Sequence, residues 1–278
     1  MPRRDKKKWG VSPLIRLQEQ RIIVAKGPNV KPCKGAIYGS LRTGDFARRS
    51  DPVTIRAILF DAAGTLIYLP RGVGWHYREV AARHGLHMDE AHLAKAFAAA
   101  FKAAAPRVAT GVSRPDDDKL WWRALVRQVL ASCGQHPADS QFDPLFQELY
   151  AHFAEPGVWA LYPDASPVLD ALHGRYKLAI VSNFDRRLYP ILDHLGLRPY
   201  FDTIVISSEL GADKPDPRLF TAALSNLDAT PSEAVHVGDH PDQDWRAAEL
   251  AGLHVYRVDR PARGLEGLAD FVQAPQSA

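Results

Sequence analysis

Apolar positions in this chain fall into two rhythms. Short, mostly apolar runs occur at 55–60, 177–181, 203–206, 234–237 and 253–258, each the length of a strand buried on both faces. Between the later runs, apolar residues recur every three or four positions, the period of a helix. Several of these stretches stop at a glycine (Gly174, Gly196, Gly252), the residue that ends helices most readily. Strands alternating with helices predict an α/β fold, with a parallel sheet covered on both faces.

One interval breaks the alternation. Between the first and second runs lie more than a hundred residues without a strand pattern, and four helical patterns fill them. Trp75 to His84 is amphipathic. Asp89 caps a helix whose apolar face is Leu93, Ala96, Phe97, Ala100 and Phe101. Asp116, Asp117 and Asp118 place negative charge on the first turn of a helix carrying Trp122, Leu125, Val126, Val129 and Leu130, which Gly134 closes. Phe142 to Phe153 supplies the fourth. A four-helix bundle inserted directly after the first strand would stand over any site at that strand's end. The expected division is therefore a core of residues 53–72 and 160–278, a helical insert of 73–159, and a separate segment of 1–52.

Composition separates that first segment from the rest. Residues 1–50 carry 13 Lys and Arg against 3 Asp and Glu, a balance of +10, whereas the remainder carries 22 basic and 29 acidic residues, a balance of −7. Such a segment reads as a solvated extension, and nucleic acid would be contacted, if at all, only through its charge. With 46% apolar residues the body can bury a core, and no apolar stretch approaches the roughly 18–20 residues that span a bilayer. Cys33 and Cys133 stand apart with no metal-ligand spacing, which fits a protein of the reducing cytoplasm.

Candidate chemistry sits where the strands end, the edge at which open α/β sheets bind ligands. Four motifs stand there: Asp61-Ala62-Ala63-Gly64-Thr65, Ser182-Asn183, Asp213-Lys214-Pro215-Asp216-Pro217, and Gly238-Asp239 followed by Asp244. Asp61 and Asp239 each leave an apolar strand, and two carboxylates on neighbouring strand ends make a hard-oxygen site suited to Mg²⁺. The Ser182 hydroxyl and the Lys214 ammonium would bind the remaining oxygens of a phosphoryl group. Asp244, just before Trp245-Arg246-Ala247, has the position of a helix N-cap. Together these residues suit phosphoryl transfer through an aspartyl intermediate.

In order and spacing the four motifs resemble those of the haloacid dehalogenase-like hydrolase superfamily, over roughly residues 55–260. The resemblance implies a Rossmann-like, doubly wound sheet with the first and fourth motif strands adjacent at its centre, and a class-one helical cap. It makes Asp61 the nucleophile and a metal ligand. The Ala63 carbonyl and the Asp239 carboxylate join it on Mg²⁺, and Asp244 orients a metal-bound water or Lys214. Ser182 and Lys214 hold the transferring group, with Thr65 and Asn183 at the substrate, a small phosphorylated metabolite.

One position departs from the pattern. Phosphatases of the superfamily usually carry a second aspartate two residues after the nucleophile, and here that residue is Ala63. Phosphonatases of the superfamily share the alanine and add a Schiff-base lysine from the cap, for which Lys102 is the candidate. His240, next to Asp239, is a further candidate for the missing proton transfer. Loss of the acid also allows a catalytically weak, binding or scaffolding member. Halide-releasing members need no metal, so Asp239 argues against dehalogenation. Because the tail carries charge but no packing pattern, a chain starting at Val53 is expected to keep its melting temperature. A drop of several degrees in thermal denaturation would show that residues 1–52 pack on the body.

Overall fold

The computed structural model describes residues 54–274; the basic segment 1–52 lies outside them. Five strands form one parallel sheet: β1 (Ala57–Phe60), β4 (Lys177–Ser182), β5 (Thr203–Ile206), β6 (Ala234–Gly238) and β7 (His254–Arg257), in the order β5-β4-β1-β6-β7. All five expected runs are strands. β1 lies at the centre with β4 on one side and β6 on the other, so the ends that carry Asp61, Ser182 and Asp239 are neighbours. The order reverses at β1, the topological switch point that opens a crevice at the strand ends.

Alternation along the strands divides the core into two layers. Ile58, Phe60, Leu178, Ile180, Val235 and Val237 face α5 (Ala165–Leu172), α6 (Leu188–His194) and α10 (Leu268–Gln273). Ala57, Leu59, Ala179 and Val181 face α8 (Arg218–Leu227) and α9 (Ala247–Leu250). α7 (Ser207–Leu210) is a single turn after β5. The small alanines of the second face let α8 approach closely, and Phe220 fills the space they leave.

The interval without strand periodicity forms α1 (Gly72–Arg83), α2 (Glu90–Ala103), α3 (Lys119–Ser132) and α4 (Asp139–His152), packed around Val80, Leu93, Val129, Leu130, Phe142 and Phe146. Asp89 caps α2 as expected, its carboxylate accepting from the His92 amide at 2.8 Å. The three aspartates before α3 behave differently. Asp116 accepts from the Leu120 amide, but Asp117 and Asp118 take left-handed backbone (φ 51° and 62°) and turn their carboxylates away from the helix, into ion pairs and hydrogen bonds. Where the chain enters and leaves the insert, β2 (Ile67–Tyr68) and β3 (Ala160–Leu161) pair antiparallel. Two-residue strands carry no readable period, and the sequence does not announce them. Among the described residues, no helix is long and apolar enough to cross a membrane.

Phe60 is fully buried at the centre of the first layer, edge-on to Phe201 at 6.2 Å. Phe60→Ala is expected to cost about 3–5 kcal/mol in urea unfolding, the price of a large cavity in a packed core. A loss below about 1 kcal/mol would mean that this layer is not close-packed.

Candidate active site

The four motifs converge on one buried cluster of charge. Asp61 follows β1, its amide tied to the Val237 carbonyl of β6 at 2.8 Å. Its Oδ1 accepts from Ser182 Oγ at 3.1 Å and from Lys214 Nζ at 2.8 Å. Both donors meet the same oxygen, and Oδ2 accepts no hydrogen bond from the described residues. The same ammonium donates to Asp244 Oδ1 at 2.6 Å. Lys214 is therefore a bridge between the first and fourth motifs, and it is almost completely buried.

Burial opposes the charge on Lys214, yet Asp244 and Asp61 hold the ammonium protonated above its ordinary range. Burial likewise works against Asp244, but the charge of Lys214 and the hydrogen bond from His236 keep its carboxyl far below the usual carboxylate value. Asp61 is pushed up: burial outweighs the help from Lys214, and the charge of Asp244 adds to the rise. Burial and then the Asp61 charge raise Asp239 to about 7.

Asp61, Asp239 and Asp244 each offer a carboxylate oxygen, and these atoms lie within 4.8 Å of one another. Three carboxylates face one ammonium, so the cluster is short of positive charge. Among the described residues, no side chain donates to the Asp239 carboxylate and no group donates to the Ala63 carbonyl. Gly64, at φ 92°, has no room for a side chain, because a Cβ there would stand 2.4 Å from Asp239 Oδ2. A divalent cation fits these donors: it would supply the missing charge beside Asp239 and the Ala63 carbonyl.

The backbone around Asp244 explains its reach. Pro241–Arg246 is a π-helical turn, with the Trp245 amide bonded back to the His240 carbonyl. This wide turn sends the Asp244 side chain inward, instead of leaving it as the helix cap its sequence position suggests. Oδ2 accepts from the His240 amide at 2.9 Å, and Oδ1 from Lys214 and His236. Gly238 makes room, since a Cβ there would meet Asp244 Cγ at 2.4 Å.

Asn183, expected at the substrate together with Thr65, hydrogen-bonds to the lysine's loop. The Asn183 amide oxygen accepts from the Lys214 amide at 2.6 Å, and its nitrogen donates to the Lys214 carbonyl at 2.9 Å and to Gln243 at 3.2 Å. It braces the loop that carries the lysine. Thr65 is fully buried, its hydroxyl without a partner. Lys102 is exposed on α2. His240 Nδ1 accepts from the Asp242 and Gln243 amides at 3.2 and 3.1 Å, so its proton sits on Nε2 and the ring has no free basic nitrogen.

His236 escaped the sequence reading. It is completely buried in β6, Nε2 lying 2.9 Å from Asp244 Oδ1 and the ring edge-on to Phe220. The available signal was a lone imidazole inside the apolar run Ala234-Val235-His236-Val237, two residues before Gly238.

Comparison with known proteins shows which family the chain resembles. A family profile described as haloacid dehalogenase-like hydrolase matches residues 55–252. The haloacid dehalogenase-like hydrolase domain-containing protein 3 of Bos taurus is 35% identical over 74% of this chain and 83% of its own length. A phosphoserine phosphatase of Thermus thermophilus is 41% identical over 50% of this chain and 55% of its own. In structure, a HAD-hydrolase from Bacillus subtilis bound to magnesium superposes with a TM-score of 0.61 at 18% identity, covering 80% of this chain and 100% of that one. With its parallel core sheet, its helical insert in the place of the cap and its matching profile, the chain belongs to the haloacid dehalogenase-like hydrolases.

Proposed function

We propose that this protein is a Mg²⁺-dependent phosphoryl hydrolase with Asp61 as its nucleophile, acting on a small phosphorylated metabolite. The observation that carries the reading is the grip on Asp61: Ser182 and Lys214 both hold Oδ1, while Oδ2 stays free. A carboxylate fixed by one oxygen presents the other for in-line attack on phosphorus. The sequence likeness to a phosphoserine phosphatase and the magnesium held by a protein of the same fold support it.

Asp61, Asp239, Asp244 and the Ala63 carbonyl would hold the metal, which supplies positive charge to the phosphoryl oxygens and relieves repulsion among the carboxylates. Asp61 Oδ2 forms a bond to phosphorus as the ester P–O bond breaks and the alcohol leaves with the electron pair. The oxygen of a water molecule then bonds to phosphorus as the Asp61 Oδ2–P bond breaks, releasing phosphate, which keeps a water proton, and restoring the carboxylate; the departed alkoxide takes its proton from solvent. Lys214 stays charged through both steps and stabilises the transferring group along with Asp61. Asp244 and His236 keep the ammonium in place, and Asn183 fixes its backbone.

Proton transfer is the weak link. Ala63 cannot protonate the leaving alcohol, and the His240 ring offers no free basic nitrogen. This favours substrates whose leaving group departs without much help, such as acyl or aryl phosphates and other activated esters. Lys102 is exposed, and no described residue hydrogen-bonds to its side chain, so the phosphonate-cleaving reading has less support.

A screen of phosphorylated metabolites with and without Mg²⁺ tests the proposal, with Asp61→Asn expected to abolish turnover. Turnover that survives Asp61→Asn would remove Asp61 from the mechanism. Ala63→Asp is expected to raise turnover of an alkyl phosphate by about 10²-fold, the lower end of what a placed acid contributes. An aryl phosphate should gain less. No gain on any alkyl phosphate, with Mg²⁺ binding intact, would show that proton transfer is not what limits this site.

The raised carboxyls give a pH signature. A carboxyl whose folded pKa lies above its unfolded value of 3.8 binds its proton more tightly when folded. Metal-free stability from Asp239 should therefore fall as pH rises from about 4 to about 7, and Asp61 contributes with the same sign. Mg²⁺ competes with that proton, so its stabilising effect should be larger at pH 8 than at pH 5.5. Equal shifts in melting temperature at the two pH values would contradict the assignment of Asp239 as a metal ligand.

A further inference from the structure

The insert touches the core next to the catalytic loop as well as at its two crossings. Between α2 and α3, residues 104–118 leave the helical bundle and lie along the core segment 207–213, which leads into Lys214. The Thr110 and Gly111 amides donate to the Gly211 carbonyl at 2.8 and 3.1 Å, and the Arg114 amide to the Ser208 carbonyl at 2.8 Å. The approach is so close that a Cβ on Gly211 would stand 2.0 Å from the Val112 carbonyl oxygen. Farther along, Asp117 accepts from Ser208 Oγ at 2.6 Å and from the Arg186 amide at 3.0 Å.

A closed set of charges lies at the middle of this strap. Arg114 is 6% exposed. Its Nη2 donates to Asp213 Oδ2 at 2.9 Å, and its Nη1 to both oxygens of Asp118 at 3.1 Å. Arg107 reaches the same two carboxylates, at 3.2 Å on Asp213 and 3.4 Å on Asp118. Two guanidinium groups and two carboxylates balance, and three of the four residues belong to the strap. The fourth, Asp213, is bonded in sequence to Lys214. The backbone of Lys214 is held from the core by Asn183, and the residue before it is held from the cap by Arg107 and Arg114.

We propose that Arg114, assisted by Arg107, is a positioning residue: it carries the docking of the cap strap to Lys214. When the strap lies on segment 207–213, the lysine is set between Asp61 and Asp244. When the strap lifts, Asp213 loses both cations, the segment loses its backbone bonds to the cap, and the Lys214 backbone keeps its bonds to Asn183 while its ammonium has only Asp61 and Asp244 to draw it into place. Cap docking and completion of the charged cluster are then a single event. The importance of Lys214 to catalysis rests on the phosphoryl-transfer reading; its placement by the strap does not.

The test uses the full chain and a readout that does not depend on activity. Trace acetylation followed by mass spectrometry compares the labelling rate of buried Lys214 with that of exposed Lys177 in wild type, Arg114→Gln, Arg107→Gln and Arg114→Lys. Local opening of the loop is expected to raise the relative rate at Lys214 by about tenfold in Arg114→Gln. Arg107→Gln should raise it less. Arg114→Lys should restore part of the protection, because a lysine keeps the charge but not the forked geometry. Hydrogen exchange in β1 and β4 should stay at wild-type levels, which separates loop opening from unfolding. Lys214 labelling at the wild-type rate in Arg114→Gln, with faster exchange in residues 104–118, would overturn the proposal and reduce the strap to an anchor for the cap. If Arg114→Gln does not fold, Arg107→Gln decides by the same criterion. Beryllium fluoride with Mg²⁺ is added to wild type in parallel. Failure of that pair to raise the melting temperature would count against the phosphoryl reading while the labelling result stands.

Discussion

Everything at this site depends on one ammonium group. Lys214 is buried between Asp61 and Asp244, and removing a charge from water costs several kcal/mol unless partners replace the lost solvation. Its partners come from different parts of the chain: Asp61 after the first strand, Asp244 from a π-helical turn after β6, Asn183 after β4. The lysine therefore reports whether β1, β4 and β6 are in register. No apolar contact could do this, because apolar packing tolerates small displacements that a shared hydrogen bond at 2.6–2.9 Å does not.

The same cluster shows a conflict between stability and chemistry. Three carboxylates meet one lysine, and the surplus charge appears as raised carboxyls on Asp61 and Asp239. A fold selected only for stability would replace Asp239 with a neutral residue and gain by it. Gly64 and Gly238 point the same way: each leaves out a side chain where a carboxylate needs the space, although glycine costs backbone entropy at both places. Strain and charge concentrate where function requires them, and the two packed layers of the sheet supply the stability that the site forgoes.

Much of this was legible in the sequence, for definite reasons. A strand buried on both faces leaves a run of apolar residues that ends abruptly, so Asp61, Ser182 and Asp239 mark the strand ends where the charged cluster forms. Asp89 was readable as a cap because capping is local. Long-range pairings were not readable. Asp117 and Asp118 have the composition of a helix start, yet their carboxylates serve the core and the strap: nothing near Asp117 reveals Ser208 as its partner, and nothing near Asp118 reveals that it shares Arg107 and Arg114 with Asp213. Asp244 looked like an N-cap because a π-helical turn leaves no composition signal. His236 was hidden by its apolar neighbours, and β2 and β3 by their length.

Ala63 shows how separable the parts of such a site are. Asp61, its two donors and the residues suited to a metal are held by bonds that do not involve the side chain at position 63, which is why an alanine there leaves the cluster intact. In the proposed phosphoryl transfer, what alanine removes is one proton transfer, a step that matters in proportion to the basicity of the leaving group. On that reading the absent carboxyl narrows the substrate range to esters whose leaving group needs little help. His240 could have compensated only with a free imidazole nitrogen, and its Nδ1 is committed to the amides of Asp242 and Gln243. Those amides open the turn that delivers Asp244 to Lys214. The ring that stands closest in sequence to the missing function is therefore engaged in building the charged cluster, and the fold cannot release it for acid–base work without loosening the lysine on which the site depends.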